Sequence, residues 1–379
     1  MGTLGPPDDV VITGVAWATP LGTGLDQVWR RLVAGERGLR TLPAPHPLSC
    51  DLAGVAGSVD PSLPPTDRLV ALTTDTLTRA CRDAGLAPDD PDTRLVLGTS
   101  FGAVLDDARA DPLDTWARTA AGVLGHPHPP VCVSTACSAG SDALAVAAEL
   151  VRAGATPIAV AGGADTVTLA KRLGHSALGT MSSRAARPFD AEHDGMTLGE
   201  GAAFLVLESA ASARRRGATV RARLCGAGAA NEAAGLTAPD ETADGLVLAV
   251  RRCLAAAGRE ASEVGVISAH ATGTARNDAV ECRGLGRLFG AVPQPPVVFG
   301  TKGALGHSLG ATGAIEAVSV VLALAARVAP PTAGLGSPMP GFPLPLTVGG
   351  PLPIHGRLGL SLTLGFGGFT TCLLLEGPG

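Results

Sequence analysis

Short apolar runs rich in β-branched residues alternate with longer, alanine-rich stretches of helical spacing, and the same order of elements occurs in both halves of the chain. That alternation restricts the fold to α/β architecture with buried sheets. The pattern predicts first-half strands over 10–15, 94–97, 131–133, 157–161 and 202–207, with a helix over 66–84 closed by Gly85. In the second half it predicts strands over 220–225, 264–268 and 297–299, and helices over 245–257, 278–289 and 313–328. Strands over 358–364 and 371–375 then form a closing hairpin around Gly365-Phe-Gly-Gly368. The parallel order points to an internal duplication, one half over 1–215 and the other over 216–379, although no residue-level repeat is visible. Met1-Gly-Thr-Leu-Gly-Pro-Pro reads as a frayed start, and the proline-rich stretches at 43–47, 61–65, 127–130 and 338–353 as surface excursions.

Composition narrows the function classes. The 379 residues are 46% hydrophobic and 17% charged, which suits a large core and excludes a disordered chain. Tyrosine is absent and 51 residues are glycine, so the core must rest on close backbone packing rather than on large rings. A net charge of −5 with no basic stripe argues against nucleic acid, and Arg214-Arg215-Arg216 reads as a solvated face. Eight scattered cysteines without a CxxC pair, and no signal-like stretch, predict free thiols in a reducing cytoplasm. Apolar runs such as 314–328 read as too short and interrupted to span a membrane.

Three segments carry chemistry. Cys137 sits where the strand over 131–133 gives way to an alanine-rich helix. A thiol there faces the positive end of the helix dipole, which favours the thiolate, and unpaired N–H groups that can hold an oxyanion. His270 follows the strand over 264–268 in Ser268-Ala-His-Ala-Thr-Gly-Thr274, at the strand end where open α/β sheets bind ligands. His307 lies in Gly300-Thr-Lys-Gly-Ala-Leu-Gly-His-Ser-Leu-Gly-Ala-Thr-Gly313, again between a strand and a long helix. Lys302 in that segment can pair with a buried carboxylate, with Glu316 and Glu281 as candidates. Gly365-Phe-Gly-Gly368 could offer an N–H opposite that of Cys137. Asp278 reads as a helix N-cap, Pro188-Phe-Asp190 and 194–201 as architectural turns, and His126-Pro-His128 as a loop without a third metal ligand. No phosphate-binding glycine motif supports nucleotide binding. One thiol with two histidines fits acyl transfer from a thioester followed by enolate chemistry, as in decarboxylation of a malonyl thioester.

These motifs resemble the β-ketoacyl synthase family of the thiolase superfamily over nearly the whole chain. Val133-Ser-Thr-Ala-Cys137-Ser is similar to the nucleophile motif, His270-Ala-Thr-Gly-Thr274 to the first histidine motif and residues 302–313 to the second. The resemblance implies a thiolase-like fold of two βαβαβαββ halves in five layers, αβαβα. It implies Cys137 as the acylated nucleophile, with His270 and His307 on the malonyl thioester carbonyl. Lys302 would orient the site through Glu316. Phe366 would gate the pocket, its N–H joining that of Cys137 in the oxyanion hole. The extender would arrive on the phosphopantetheine arm of an acyl carrier protein, with no cofactor and no metal of the chain's own. The partner would be a second copy, or a related ketosynthase or chain-length subunit, in a cytoplasmic dimer without nucleic acid or membrane.

The chain departs from the family pattern at Ala271, expected to crowd the pantetheine channel, and at Phe369-Thr370, where the usual asparagine would line the pocket. The segment between Gly102 and Cys137 is short, and the loop near Leu173-Gly-His175 lacks the usual phenylalanine. These departures suggest a secondary-metabolic, type II polyketide-like member. An ester- or amide-forming acyltransferase needs less enolate stabilisation than two histidines and Lys302 provide. A chain-length partner commonly lacks the nucleophile. A degradative thiolase would use a second cysteine near the C-terminus, for which Cys372 is the nominal candidate.

Overall fold

Ten strands fall into two five-strand units of identical connectivity. The computed structural model describes residues 9–106 and 112–378, so the frayed start predicted over 1–7 lies outside the described residues. The first unit holds β1 (Val10–Ala18), β2 (Thr93–Gly98), β3 (Val131–Val133), β4 (Ile158–Asp165) and β5 (Gly201–Ser209). The second holds β6 (Ala222–Asn231), β7 (Val264–Ser268), β8 (Val297–Phe299), β9 (Leu358–Leu364) and β10 (Phe369–Glu376). β1 runs antiparallel to β5 and β5 to β4, whereas β4, β2 and β3 are parallel. β6, β10, β9, β7 and β8 repeat that pattern strand for strand. The units join where Val11 faces Arg223 and Ile12 faces Ala222, giving the order β8-β7-β9-β10-β6-β1-β5-β4-β2-β3.

Helices complete the layers. α1 (Pro65–Asp83) and α2 (Thr115–Val123) cover the outer face of the first unit. α3 (Ala139–Arg152) continues from the turn after β3, and α4 (Leu169–Ala177) follows β4. α5 (Asp244–Ala257) and α6 (Ala275–Phe289) cover the outer face of the second unit. α7 (Thr312–Ala326) packs against α3 between the units, which completes the αβαβα arrangement. The three largest apolar cores among the described residues follow from this. One surrounds α3 and α7, and one lies under each outer helix pair.

Small residues let the central helices touch. A Cβ on Gly313 would come within 1.8 Å of the Ser141 hydroxyl, and one on Gly140 within 2.8 Å of the Gly310 carbonyl. Contact this close brings the N-terminal turns of both helices together. It also explains why α7 is apolar on every side. The stretch Leu309–Ala326 is long and apolar enough to cross a bilayer, contrary to the expectation from sequence, but 83% of it is buried inside the protein.

The predicted strands and helices lie where expected, within a few residues at their ends. Helices Leu25–Val33, Thr115–Val123 and Leu169–Ala177 were not predicted. β6 also extends to Asn231, because the glycine–alanine run after Cys225 pairs with β10 despite its poor intrinsic strand preference. Pro65 belongs to no excursion: it is the first residue of α1, where a missing N–H costs nothing.

Candidate active site

Cys137 lies in a single 3-10 turn, Ala136–Ser138, wedged between β3 and α3. Ala136 takes the left-handed conformation at φ 51°, which turns the chain sharply at the sulfur. Thr135 donates to Asp142 at 2.5 Å and Ser138 to the Thr135 carbonyl at 2.9 Å, so the turn is pinned to the first turn of α3. The second unit contains the same device after β8: Leu309, at φ 49°, opens the 3-10 turn Leu309–Ala311 that leads into α7.

His270 and His307 converge on the sulfur. Sγ of Cys137 and a ring nitrogen of each histidine lie within 4.8 Å of one another, and the imidazole centroids are 5.2 Å apart at 84°. All three residues are at most 5% exposed. The shell behind them fixes their protons. The Leu309 N–H donates to His307 Nδ1 at 3.1 Å, and the Lys302 ammonium lies 3.2 Å from His270 Nδ1. The Leu309 N–H and the ammonium can only donate, and the Thr312 hydroxyl, 2.9 Å from His307 Nδ1, can donate as well, so each Nδ1 bears a lone pair and each neutral ring carries its proton on Nε2. Burial, and next the charge of Lys302, hold both imidazoles well below their usual range, so both are neutral.

Lys302 also donates to the His270 carbonyl and, at 2.6 Å, to Glu316, so its three donors are all used. Between the two carboxylates left open by the sequence, Glu316 is therefore the partner. Burial pushes it up to about 7 against the pull of Lys302. Glu281 has a different position: it accepts the N–H groups of His270 and Ala271, both at 2.6 Å, and burial raises it to about 8.

Phe366 follows β9. Its N–H faces the Cys137 sulfur, and its ring lies 5.6 Å from that of His175. A Cβ on Gly365 would sit 3.1 Å from the Thr135 carbonyl and 3.3 Å from the Cys137 nitrogen, so glycine lets this loop lie against the nucleophile turn without pushing it back. The trio opens into a cavity of about 470 Å³ to whose lining Thr180, Thr237, Thr272, Thr274 and Asn277 contribute polar groups.

Four expectations need correction. First, Cys137 is not pre-ionised by its helix start. Burial pushes its thiol up to about 11, outweighing Lys302 and the Phe366 N–H, which pull the other way. The thiolate fraction then grows about tenfold per pH unit. Alkylation of Cys137 by iodoacetamide should thus accelerate continuously from about pH 7 to about pH 10, whereas levelling off near the ordinary thiol value of about 8.5 would contradict a raised pKa.

Second, Asp278 is no N-cap. Thr274 holds that position, while buried Asp278 accepts from the Phe189 N–H at 2.7 Å, the Gly273 N–H at 3.1 Å and His193 Nδ1 at 2.9 Å. Third, Ala271 does not crowd the cavity: it is buried against Gly300, outside the lining. Fourth, the polar lining does not depend on residues 369–370, which pair within the sheet, because it comes from the threonines above.

Cys372 is buried in β10 beside Cys253, away from the cavity. His126 and His128 contact each other in a loop, and among the described residues no third ligand joins them. Asp190 accepts three main-chain N–H groups and Glu200 pairs with Arg68, which fits the architectural reading of those turns. Sequence reasoning missed Asp165 and Lys171, whose signal (a carboxylate after Gly162-Gly163) has no meaning until its distant donors are known.

Known proteins are similar to this chain in sequence and fold. Residues 7–213 match the N-terminal domain of β-ketoacyl synthases and residues 221–336 the C-terminal domain. The chain is 32% identical to the mitochondrial 3-oxoacyl-[acyl-carrier-protein] synthase of Arabidopsis thaliana, over 96% of this chain and 92% of that one. The ishigamide ketosynthase/chain length factor superposes with a TM-score of 0.88 at 31% identity, covering 98% of this chain and 99% of the other. A type II polyketide ketosynthase solved with its acyl-carrier protein superposes with a TM-score of 0.90 at 25% identity, covering 99% and 100%. Sequence, topology and paired strand–turn–helix elements thus lead to one assignment: the chain belongs to the β-ketoacyl synthase family.

Proposed function

We propose that this chain is a condensing enzyme that joins a Cys137-bound acyl group to a malonyl group carried on an acyl carrier protein, with loss of carbon dioxide. The observation that carries the reading is the convergence of one sulfur and a ring nitrogen of each of two neutral histidines in a single cavity. In the first step Sγ bonds to the acyl carbon, the bond to the incoming thioester sulfur breaks, and the thiol proton ends on that leaving sulfur. The N–H groups of Cys137 and Phe366 hold the oxyanion, and the approach of the Phe366 N–H to Sγ supports this.

In the second step both Nε2–H groups donate to the malonyl thioester oxygen. The bond to the carboxylate breaks, carbon dioxide leaves, and its electron pair enters the enolate. The enolate carbon then bonds to the acyl carbon, the bond to Sγ breaks, and the released thiolate takes up a proton. Neutral imidazoles suit this role because they donate without needing acid. Lys302 and Glu316 orient His270 from behind.

No metal or cofactor of the chain's own enters this scheme. In this reading the Nε2 atoms serve as proton-bearing donors to the thioester oxygen, whereas a metal would require their lone pairs. The threonine-lined mouth suits the amides of a phosphopantetheine arm. Val131 on edge strand β3 is exposed, as are the apolar side chains of Phe101, Leu105 and Val123, which suits burial against a second copy or a related subunit. Eight free cysteines support a cytoplasmic setting.

The test is product identification by mass spectrometry after mixing the chain with acyl- and malonyl-loaded carrier protein, alone and with a candidate related subunit. A β-ketoacyl product two carbons longer is expected. No such product under either condition would reject condensation, and an ester or amide in its place would identify an acyltransferase.

A further inference from the structure

A carboxylate with no part in the chemistry above lies beneath the His307 turn. Asp165 ends β4 and is fully buried. Its Oδ2 accepts from the Ser100 N–H at 2.9 Å, the Ser100 hydroxyl at 2.5 Å and the Gly310 N–H at 3.0 Å. Its Oδ1 accepts from the Thr166 N–H at 3.1 Å and from the ammonium of Lys171 on α4. Lys171 is buried too, and donates to the Thr166 carbonyl at 3.1 Å. One anion thus gathers five donors from the chain after β2, the end of β4, α4 and the Leu309–Ala311 turn.

That turn governs His307. Leu309 needs its left-handed backbone to aim its N–H at Nδ1, and Gly310 follows directly. Gly310 also presses on the chain after β2, where a Cβ would approach the Ser100 nitrogen to 2.3 Å. Without an acceptor between them, the Ser100 and Gly310 N–H groups would face each other across that contact, and the turn would have to move.

We propose that Asp165, with Lys171 as its counter-charge, is the positioning residue for His307, fixing the turn whose N–H holds the imidazole in its Nε2–H form. Only the consequence for decarboxylation rests on the reading under Proposed function. The two oxygens divide the work: Oδ2 holds the turn, and Oδ1 neutralises Lys171 and accepts the adjacent Thr166 N–H. An asparagine can keep its carbonyl oxygen in the Oδ2 position, whereas leucine, of similar size, offers no acceptor. Replacing Lys171 by methionine removes a cation that would otherwise be buried unpaired.

The test compares Asp165→Asn and Asp165→Leu, both in the Lys171→Met background, in the full chain. Malonyl-carrier decarboxylation, acyl loading of Cys137 and the 1H–15N spectrum of the histidine ring nitrogens are measured. The leucine chain should lose decarboxylation about tenfold or more in kcat, with KM within about twofold and loading retained. Its His307 Nδ1 should lose the unprotonated signature. The asparagine chain should stay within about threefold of the native rate and keep that signature. Equal behaviour of the two chains in the ring spectrum overturns the proposal. If the native chain neither loads nor decarboxylates, the function assignment fails, and the ring spectrum alone still decides this one. Should the leucine chain not fold, Asp165→Ala in the same background replaces it, with the same expected outcomes.

Discussion

Cys137→Ala is expected to abolish the covalent acyl-enzyme and to lower condensation by about a thousandfold or more, since the bond-forming atom is gone. Intact-mass measurement after incubation with acyl-carrier thioester should show an adduct on the native chain and none on the alanine chain. Seven other cysteines make this a demanding comparison, because all are free and Cys50 packs in the same cluster as Phe366. Burial pushes several of them up: Cys132 to about 11, and Cys81 and Cys225 to about 12. A raised thiol pKa therefore does not single out Cys137. What does is geometry, the Phe366 N–H and two imidazoles aimed at one sulfur. An adduct that survives the substitution would move the nucleophile elsewhere.

His307→Ala should separate the two half-reactions. Decarboxylation of malonyl-carrier is expected to fall by about a hundredfold to a thousandfold, the effect of removing one donor from a developing oxyanion. Acyl loading of Cys137 should persist, because the oxyanion of that step belongs to main-chain N–H groups. Single-turnover loading followed by mass spectrometry, alongside carbon dioxide release, reads both steps. Equal loss of both would mean that the histidine serves the nucleophile rather than the enolate. The substitution also strands the Leu309 N–H and the Thr312 hydroxyl, which lies 2.9 Å from Nδ1, so thermal unfolding must be measured in parallel.

How much of this could be read from the sequence depended on distance along the chain. Strands such as 264–268 and 358–364 are fully buried, so their apolar runs announced them directly. Helix 169–177 did not, because its spacing is broken by Lys171 and Arg172, both buried, Lys171 against Asp165 at the end of β4 and Arg172 against the Leu42 carbonyl far away in sequence. The same limit applies at the site. The segments around Cys137, His270 and His307 stand out as local patterns of small residues, and so do Lys302 within the last of them and Phe366 in the glycine-rich turn at 365–368. Ionisation did not: the helix start favours a thiolate, but the burial that opposes it comes from the tertiary fold. Choosing Glu316 over Glu281, and removing Asp278 from its cap, likewise required knowing which N–H groups arrive from elsewhere.

The matching elbows after β3 and β8 have a consequence for how this catalyst can change. Nucleophile and enolate donor are not held by separate loops that drift independently. They ride on the tips of two rods packed against each other, α3 and α7, whose separation is set where Gly140 and Gly313 meet their neighbours. Any enlargement at that contact would spread sulfur and imidazole apart together, as opening the hinge of a pair of tongs spreads both jaws.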